Sequence, residues 1–268
     1  MHYLNYNGSI IPANEAPDFV EGSVFRFPQG LFESMLVKND FLQLYDYHYE
    51  RLRKGSEHLE LTIPSFFNLS FFVEETLRTI AHNTACVYHR VRFQIAVRDG
   101  HFSYLIETSQ LEEDIVAYNK TGWTLGLIDL SLKEFDEGGN LKRINIPLYT
   151  KGAAIASEQG WNDVLLVHGD QIVESGGANI FCVRDGKIFT PPLEAGCIEG
   201  TMRRFLIRSL RGQYQFCETK LNVADVLNAD EVFLTNAIRR VKWVEQIGNR
   251  NYTNRISTEI YNTLFPAG

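Results

Sequence analysis

The chain has 268 residues, 44% hydrophobic and 22% charged, with a net charge of −7. That length suits one large or two ordinary domains with a substantial core. The acidic excess argues against general nucleic-acid or anionic-membrane binding, and the apolar runs are far too short to span a bilayer.

Four scattered cysteines, Cys86, Cys182, Cys197 and Cys217, form no CxxC pair, and the seven histidines lack ligand spacing. No metal site is expected, and the cysteines are expected to be buried thiols in a reducing compartment. The N-terminus, MHYLNYNGSIIP, shows no basic region followed by an apolar run, so the expected location is cytoplasmic. With 18 Phe and 12 Tyr, the cores should lean on aromatic rings.

Residues 3–10 alternate around an Asn-Gly turn, which predicts a hairpin, and residues 31–46 repeat strand, turn and strand. An amphipathic helix is predicted from an N-cap at Asp46, with Leu52, Leu59, Tyr49 and Ser56 inward and Arg51 beside that face. A second helix is predicted to start at Pro64-Ser65 with Phe67, Phe71, Leu77 and Ile80 as its stripe. Two strands follow, joined by an Asp-Gly turn at 99–100; Val91, Phe93, Ile95 and Val97 alternate with Arg90, Arg92 and Gln94.

Residues 110–120 lose the apolar rhythm, which predicts a domain connection. A strand is expected at 123–130, then a short Ala-rich helix opened by Thr150 and closed by Gly160. Two hairpins turning at 168–170 and 185–186 follow, then a helix over Met202–Leu210, a buried strand within 229–238 and a C-terminal helix. The pattern is α+β in two domains, 1–112 and 121–268 with 113–120 as the connection, and a cleft between them where ligand sites often lie.

Three features point to chemistry when taken in order. Lys142 follows a Gly-Gly-Asn approach, and a lysine amine becomes a nucleophile where burial or positive charge disfavours its protonated form. Glu174 closes an apolar strand before Gly176-Gly177, where it is either turn chemistry or a carboxylate aimed into a pocket. Gly200-Thr201-Met202 opens a helix whose N–H groups and dipole suit a phosphate. Arg51, the Thr235 hydroxyl and the Asn236-Ala237 backbone are further candidates for that anion. Each alone is more often a surface charge, a turn or a strand end; the combination suits pyridoxal phosphate (PLP).

The chain resembles the class IV, fold type IV PLP enzymes: branched-chain aminotransferase, D-amino-acid aminotransferase and 4-amino-4-deoxychorismate lyase. The resemblance runs over nearly the whole chain and is strongest at Lys142, ESGGANIF at 174–181, FTPPLEAGCIEGTMRRF at 189–205 and ADEVFLTNAI at 229–238. LFES at 31–34 and HYERL at 48–52 match weaker patterns. It implies a small N-terminal α/β domain, a larger C-terminal one, PLP at their junction and a homodimer. It also implies that Lys142 bonds the cofactor aldehyde and acts as the catalytic base, and that Glu174 meets the pyridine nitrogen. Arg51, Thr201, Met202, Asn236 and Ala237 match phosphate-holding positions. Arg26 and Arg98 are loose matches for binding a substrate carboxylate.

The sequence departs from the family in several places. Phe27-Pro28-Gln29-Gly30 replaces the common Phe/Tyr-Gly-Asp-Gly, Phe32 stands where D-amino-acid aminotransferases carry tyrosine, and Asn145-Ile146 replaces the Asn-Tyr pair of branched-chain enzymes. These losses and the Asn-Ala pair at 236–237 favour the lyase, which releases 4-aminobenzoate and pyruvate in folate synthesis. The alternatives are an aminotransferase of branched-chain or D-amino acids and, more remotely, a catalytically silent PLP-binding relative. The expected partner is a small amino substrate bearing a carboxylate.

Overall fold

The computed structural model describes residues 2–15, 30–98, 100–129, 140–144 and 147–266; Arg26 and the Arg98 side chain lie outside what is described. The chain divides into two compact units, Met1–Ile115 with Leu141–Asn145, and Val116–Asn140 with Ile146–Gly268.

The described residues of the first unit form a six-stranded sheet. In chain order its strands are β1 (Tyr3–Tyr6), β2 (Ser9–Pro12), β3 (Gly30–Lys38), β4 (Phe41–Leu42), β5 (Tyr88–Arg98) and β6 (His101–Gln110). They lie in the order β2-β1-β6-β5-β3-β4 with antiparallel neighbours. Period-two alternation sends Leu31, Met35 and Val37 of β3 and Val91, Phe93 and Ile95 of β5 to one buried face. Helices α1 (Tyr45–His58) and α2 (Leu69–Ala81) cover it. Phe72 of α2 packs on Phe93 with ring centres 4.8 Å apart, and Phe93 stacks on Tyr104 at 5.7 Å. Each such fully buried ring contributes roughly 1.5–3 kcal/mol.

Both helices begin differently from the sequence prediction. α1 starts at Tyr45 after Leu44, which takes the left-handed conformation (φ 53°), so Asp46 sits inside the first turn. Its buried face carries His48, Arg51, Leu52 and Ser56, so Arg51 is on that face rather than beside it. α2 starts at Leu69, not at 64–65, because the Asn68 side chain accepts the Phe71 N–H at 3.0 Å and caps it. The buried side of α2 is therefore Phe72, Thr76, Thr79 and Ile80, with Phe67 buried ahead of the helix.

Helix α3 (Glu113–Val116) spans the division between the units. The described residues of the second unit contain ten strands: β7 (Trp123–Asp129), β8 (Asp163–His168), β9 (Gln171–Ser175), β10 (Asn179–Arg184), β11 (Lys187–Thr190), β12 (Phe216–Glu218), β13 (Leu221–Asn222), β14 (Glu231–Asn236), β15 (Arg240–Ile247) and β16 (Arg250–Asn251). Nine form one path, β12-β11-β10-β14-β15-β7-β8-β9-β13, and β16 pairs with β15. Pairings β11–β12, β15–β7 and β7–β8 are parallel.

Both faces of this sheet are buried. Ile180, Cys182, Val232 and Leu234 face one core, while Phe181, Val183 and Phe233 face another. Four α-helices lie wholly among the described residues of this unit: α4 (Pro147–Gln159), α5 (Thr201–Leu210), α6 (Val223–Leu227) and α7 (Arg255–Leu264). Leu206 and Leu210 of α5 and Ile256 and Ile260 of α7 pack with Phe181 and Phe233. α4 begins at Pro147, three residues before Thr150, since proline's fixed φ and missing N–H suit the first helical position. α6, with its Asn222–Asp225 capping box, and the long strand β15 were not anticipated from sequence.

Candidate active site

Lys142 belongs to the first unit, where a short strap of chain lies along β3. The Phe32 N–H donates to the Lys142 carbonyl at 3.0 Å, and the Ile144 N–H donates to the Gly30 carbonyl at 3.0 Å. Gly30 is small of necessity, because a Cβ there would lie 2.7 Å from the Ile144 side chain and 2.9 Å from the Ile95 carbonyl. The strap places the Lys142 ammonium 4.6 Å from the centre of the Phe32 ring, and the Arg92 guanidinium lies 4.0 Å from the same ring.

One residue farther along β3, Glu33 points into the core. Arg51 donates from Nε to Glu33 Oε1 at 2.8 Å and from a terminal nitrogen to Oε2, and His48 Nδ1 lies 2.6 Å from Oε2. Burial alone would raise the Glu33 pKa, but the Arg51 charge and the His48 and Arg51 hydrogen bonds bring it down to about 2. Burial pushes the His48 pKa below the usual range against the pull of Glu33, and the Arg51 and Lys142 charges add to that lowering. His48 is thus a neutral imidazole whose Nδ1–H donates to the carboxylate. Its Nε2 is buried without a hydrogen-bond partner.

Glu33 was missed as a site residue. Its signal was an acid at a core-facing position between Leu31 and Met35, which demands a buried cation.

Glu174 belongs to the second unit, near the end of β9, and is 2% exposed. Tyr149, in the first turn of α4, donates its hydroxyl to Glu174 Oε1 at 2.6 Å, and the Ile198 N–H donates to Oε2 at 3.0 Å. The Ile198 carbonyl accepts from Asn179 Nδ2 at 2.8 Å. Just beyond Glu174, Asp163 Oδ2 accepts the Ser175 hydroxyl at 2.9 Å and the Gly177 N–H at 3.2 Å, which fixes the glycine turn. Tyr149 is a second residue that sequence reasoning missed. Nothing in its spacing from Glu174 announces a contact across 25 positions.

The start of α5 has the form of an anion cradle. Its N-cap, Gly200, makes no side-chain cap, so the first-turn N–H groups at Thr201 and Met202 are left for another acceptor. A Cβ on Gly200 would sit 1.9 Å from Asn179 Oδ1, so the backbone approach there requires glycine. Thr201 and Met202 are buried, while Arg203 turns away to the Pro191 carbonyl and Glu218.

At the end of β14, Thr235 is 1% exposed and its hydroxyl is buried without a partner. A buried orphan hydroxyl in the same unit as an uncapped helix start fits a phosphate group. Asn236 is spent on its own turn: its Nδ2 donates to the Gly177 carbonyl, and its Oδ1 accepts from the Ile238 and Arg239 N–H groups. Its side chain shapes the loop. Lys142 and Arg51 thus lie in one unit, and Glu174, Thr201, Met202, Asn236 and Ala237 in the other.

The Amino-transferase class IV family matches this chain over residues 30–247. The chain belongs to that family. Its members are PLP-dependent enzymes, and the α+β fold type IV architecture agrees. A D-alanine aminotransferase of Staphylococcus aureus strain N315 is 22% identical over 259 residues, covering 90% of this chain and 87% of that protein. A branched-chain aminotransferase from Thermoproteus uzoniensis superposes with a TM-score of 0.83 at 20% identity, covering 98% of this chain and 93% of the other. A Legionella pneumophila protein that carries the name 4-amino-4-deoxychorismate lyase superposes at 0.76 with 21% identity, covering 88% and 90%. No described helix of this class IV chain is long and apolar enough to cross a membrane.

Proposed function

We propose that this class IV enzyme binds PLP and cleaves 4-amino-4-deoxychorismate to 4-aminobenzoate and pyruvate. When bound, PLP supplies an aldehyde that bonds amines and a protonated ring that draws electrons from the neighbouring carbon. With PLP bound, Lys142 would be the amine that holds this aldehyde, and its amino group would carry protons to and from the substrate. Glu174 keeps the ring nitrogen protonated. The α5 start and Thr235 would take the phosphate, and Arg51 is the candidate that the resemblance adds.

The observation that carries the cofactor reading is the buried, unpartnered Thr235 hydroxyl in a unit with an uncapped helix start. Phe32 weighs against a D-amino-acid aminotransferase: the ring beside Lys142 offers no hydroxyl where those enzymes have one. The second reading is an aminotransferase, favoured by relatives named for D-alanine and branched-chain amino acids. Cytoplasmic location and a homodimer remain part of the proposal.

Two measurements test it. PLP added to the wild type should give a visible chromophore that Lys142→Ala abolishes; without a lysine-dependent chromophore the cofactor reading fails. Formation of 4-aminobenzoate and pyruvate without an added keto acid supports the lyase. Sustained amino-acid/keto-acid exchange with no 4-aminobenzoate replaces it with the aminotransferase.

A further inference from the structure

The second unit contains a device around Glu174 that the family resemblance did not call for. The carboxylate is 2% exposed, and each of its oxygens receives a donor from a different segment. Tyr149 reaches Oε1 from α4 at 2.6 Å, and the Ile198 backbone reaches Oε2 at 3.0 Å. The Ile198 peptide is itself anchored through its carbonyl by Asn179 at 2.8 Å. Donors on both oxygens stop rotation about the last side-chain torsion and so set the plane of the carboxylate. Burial, with the charge and hydrogen bond of Glu174, holds the Tyr149 phenol well above its usual range, so it remains a donor at every working pH.

We propose that Tyr149 is the positioning residue of Glu174: with Ile198 it fixes the carboxylate plane before any ligand arrives, so that Glu174 meets the ring nitrogen preorganised. This rests on the assignment of Glu174 to the ring nitrogen. Tyr149 follows Lys142 by seven residues, so one stretch of chain carries both the amine and the group that aims the carboxylate.

The test is a double-mutant cycle with Tyr149→Phe and Glu174→Gln, each protein reconstituted with PLP. The readouts are PLP dissociation constant and the pH midpoint of the bound chromophore. Tyr149→Phe alone should weaken PLP about tenfold and move that midpoint. In the Glu174→Gln background the same change should alter affinity by less than about twofold. Equal effects in both backgrounds, or none in the wild type, overturn the proposal.

A second measurement needs neither cofactor nor a folded Tyr149→Phe protein. With 3-fluorotyrosine incorporated, the Tyr149 phenol of the apo protein should titrate at least about one unit lower in Glu174→Gln than in the parent. An unchanged titration overturns the coupling. A wild type that gives no lysine-dependent chromophore would sink the cofactor assignment and leave this apo titration to decide Tyr149.

Discussion

Arg51 lays one edge of its guanidinium across both oxygens of Glu33, with Nε 2.8 Å from Oε1 and a terminal nitrogen on Oε2. Glu33 is 1% exposed and Arg51 7%, so the pair is a buried one. Removing one partner strands the other charge, whereas removing both can be nearly neutral. Glu33→Leu is expected to cost about 3–5 kcal/mol, and Glu33→Leu/Arg51→Met to recover most of it. Urea denaturation of the apo proteins measures both. The double variant should still fail to bind PLP tightly if Arg51 serves the phosphate.

The same carboxylate sets an acid limit. Its pKa falls from 4.5 to about 2 on folding, a depressed value. Its contribution is therefore complete above pH 4.5 and is lost as the pH falls through 2. The linkage amounts to about 3 kcal/mol. His48 is also depressed, so its share begins to be lost as the pH falls below its ordinary value of 6.5. Stability measured by urea at stepped pH should decline from about pH 6 downward. Glu33→Gln should remove the part of the slope below pH 4.5.

Thr235 predicts a split between stability and binding. Its buried hydroxyl has no partner, so Thr235→Val should leave the apo melting temperature unchanged or raise it. The same change should weaken PLP or inorganic phosphate binding by about tenfold. Calorimetric titration of both ligands, beside thermal melts, checks the two halves separately.

Gly200→Ala should act on the neighbouring asparagine. The new methyl would meet Asn179 Oδ1 at 1.9 Å and push that side chain off the Ile198 carbonyl. A stability loss of about 1–3 kcal/mol is expected, with weaker phosphate binding at the start of α5. Adding Asn179→Ala should recover part of the stability and none of the binding.

Much of this was legible in the chain. Strand alternation such as Val91, Phe93, Ile95 follows from a period that local sequence carries, and so do the glycine-bearing turns. Lys142, Glu174 and Gly200-Thr201-Met202 stood out because turns and helix starts have local signatures. Helix starts slipped where a competing cap lay nearby: Asn68 took α2 from Ser65, and Pro147 took α4 from Thr150. Tyr149 on Glu174 and Arg51 on Glu33 were illegible because they join residues 25 and 18 positions apart through tertiary packing. Only the buried acid in LFES hinted at the latter.

The strap, described over Leu141–Ile144, belongs to the first unit although the chain has already passed into the second at 115/116. Dissection is therefore foreclosed. A fragment ending at residue 115 would lose the carbonyl that receives the Phe32 amide and, with it, Lys142. Its complement would carry that amine on a tether with no strand to lie against. A cut at either boundary therefore separates segments that belong to one compact unit.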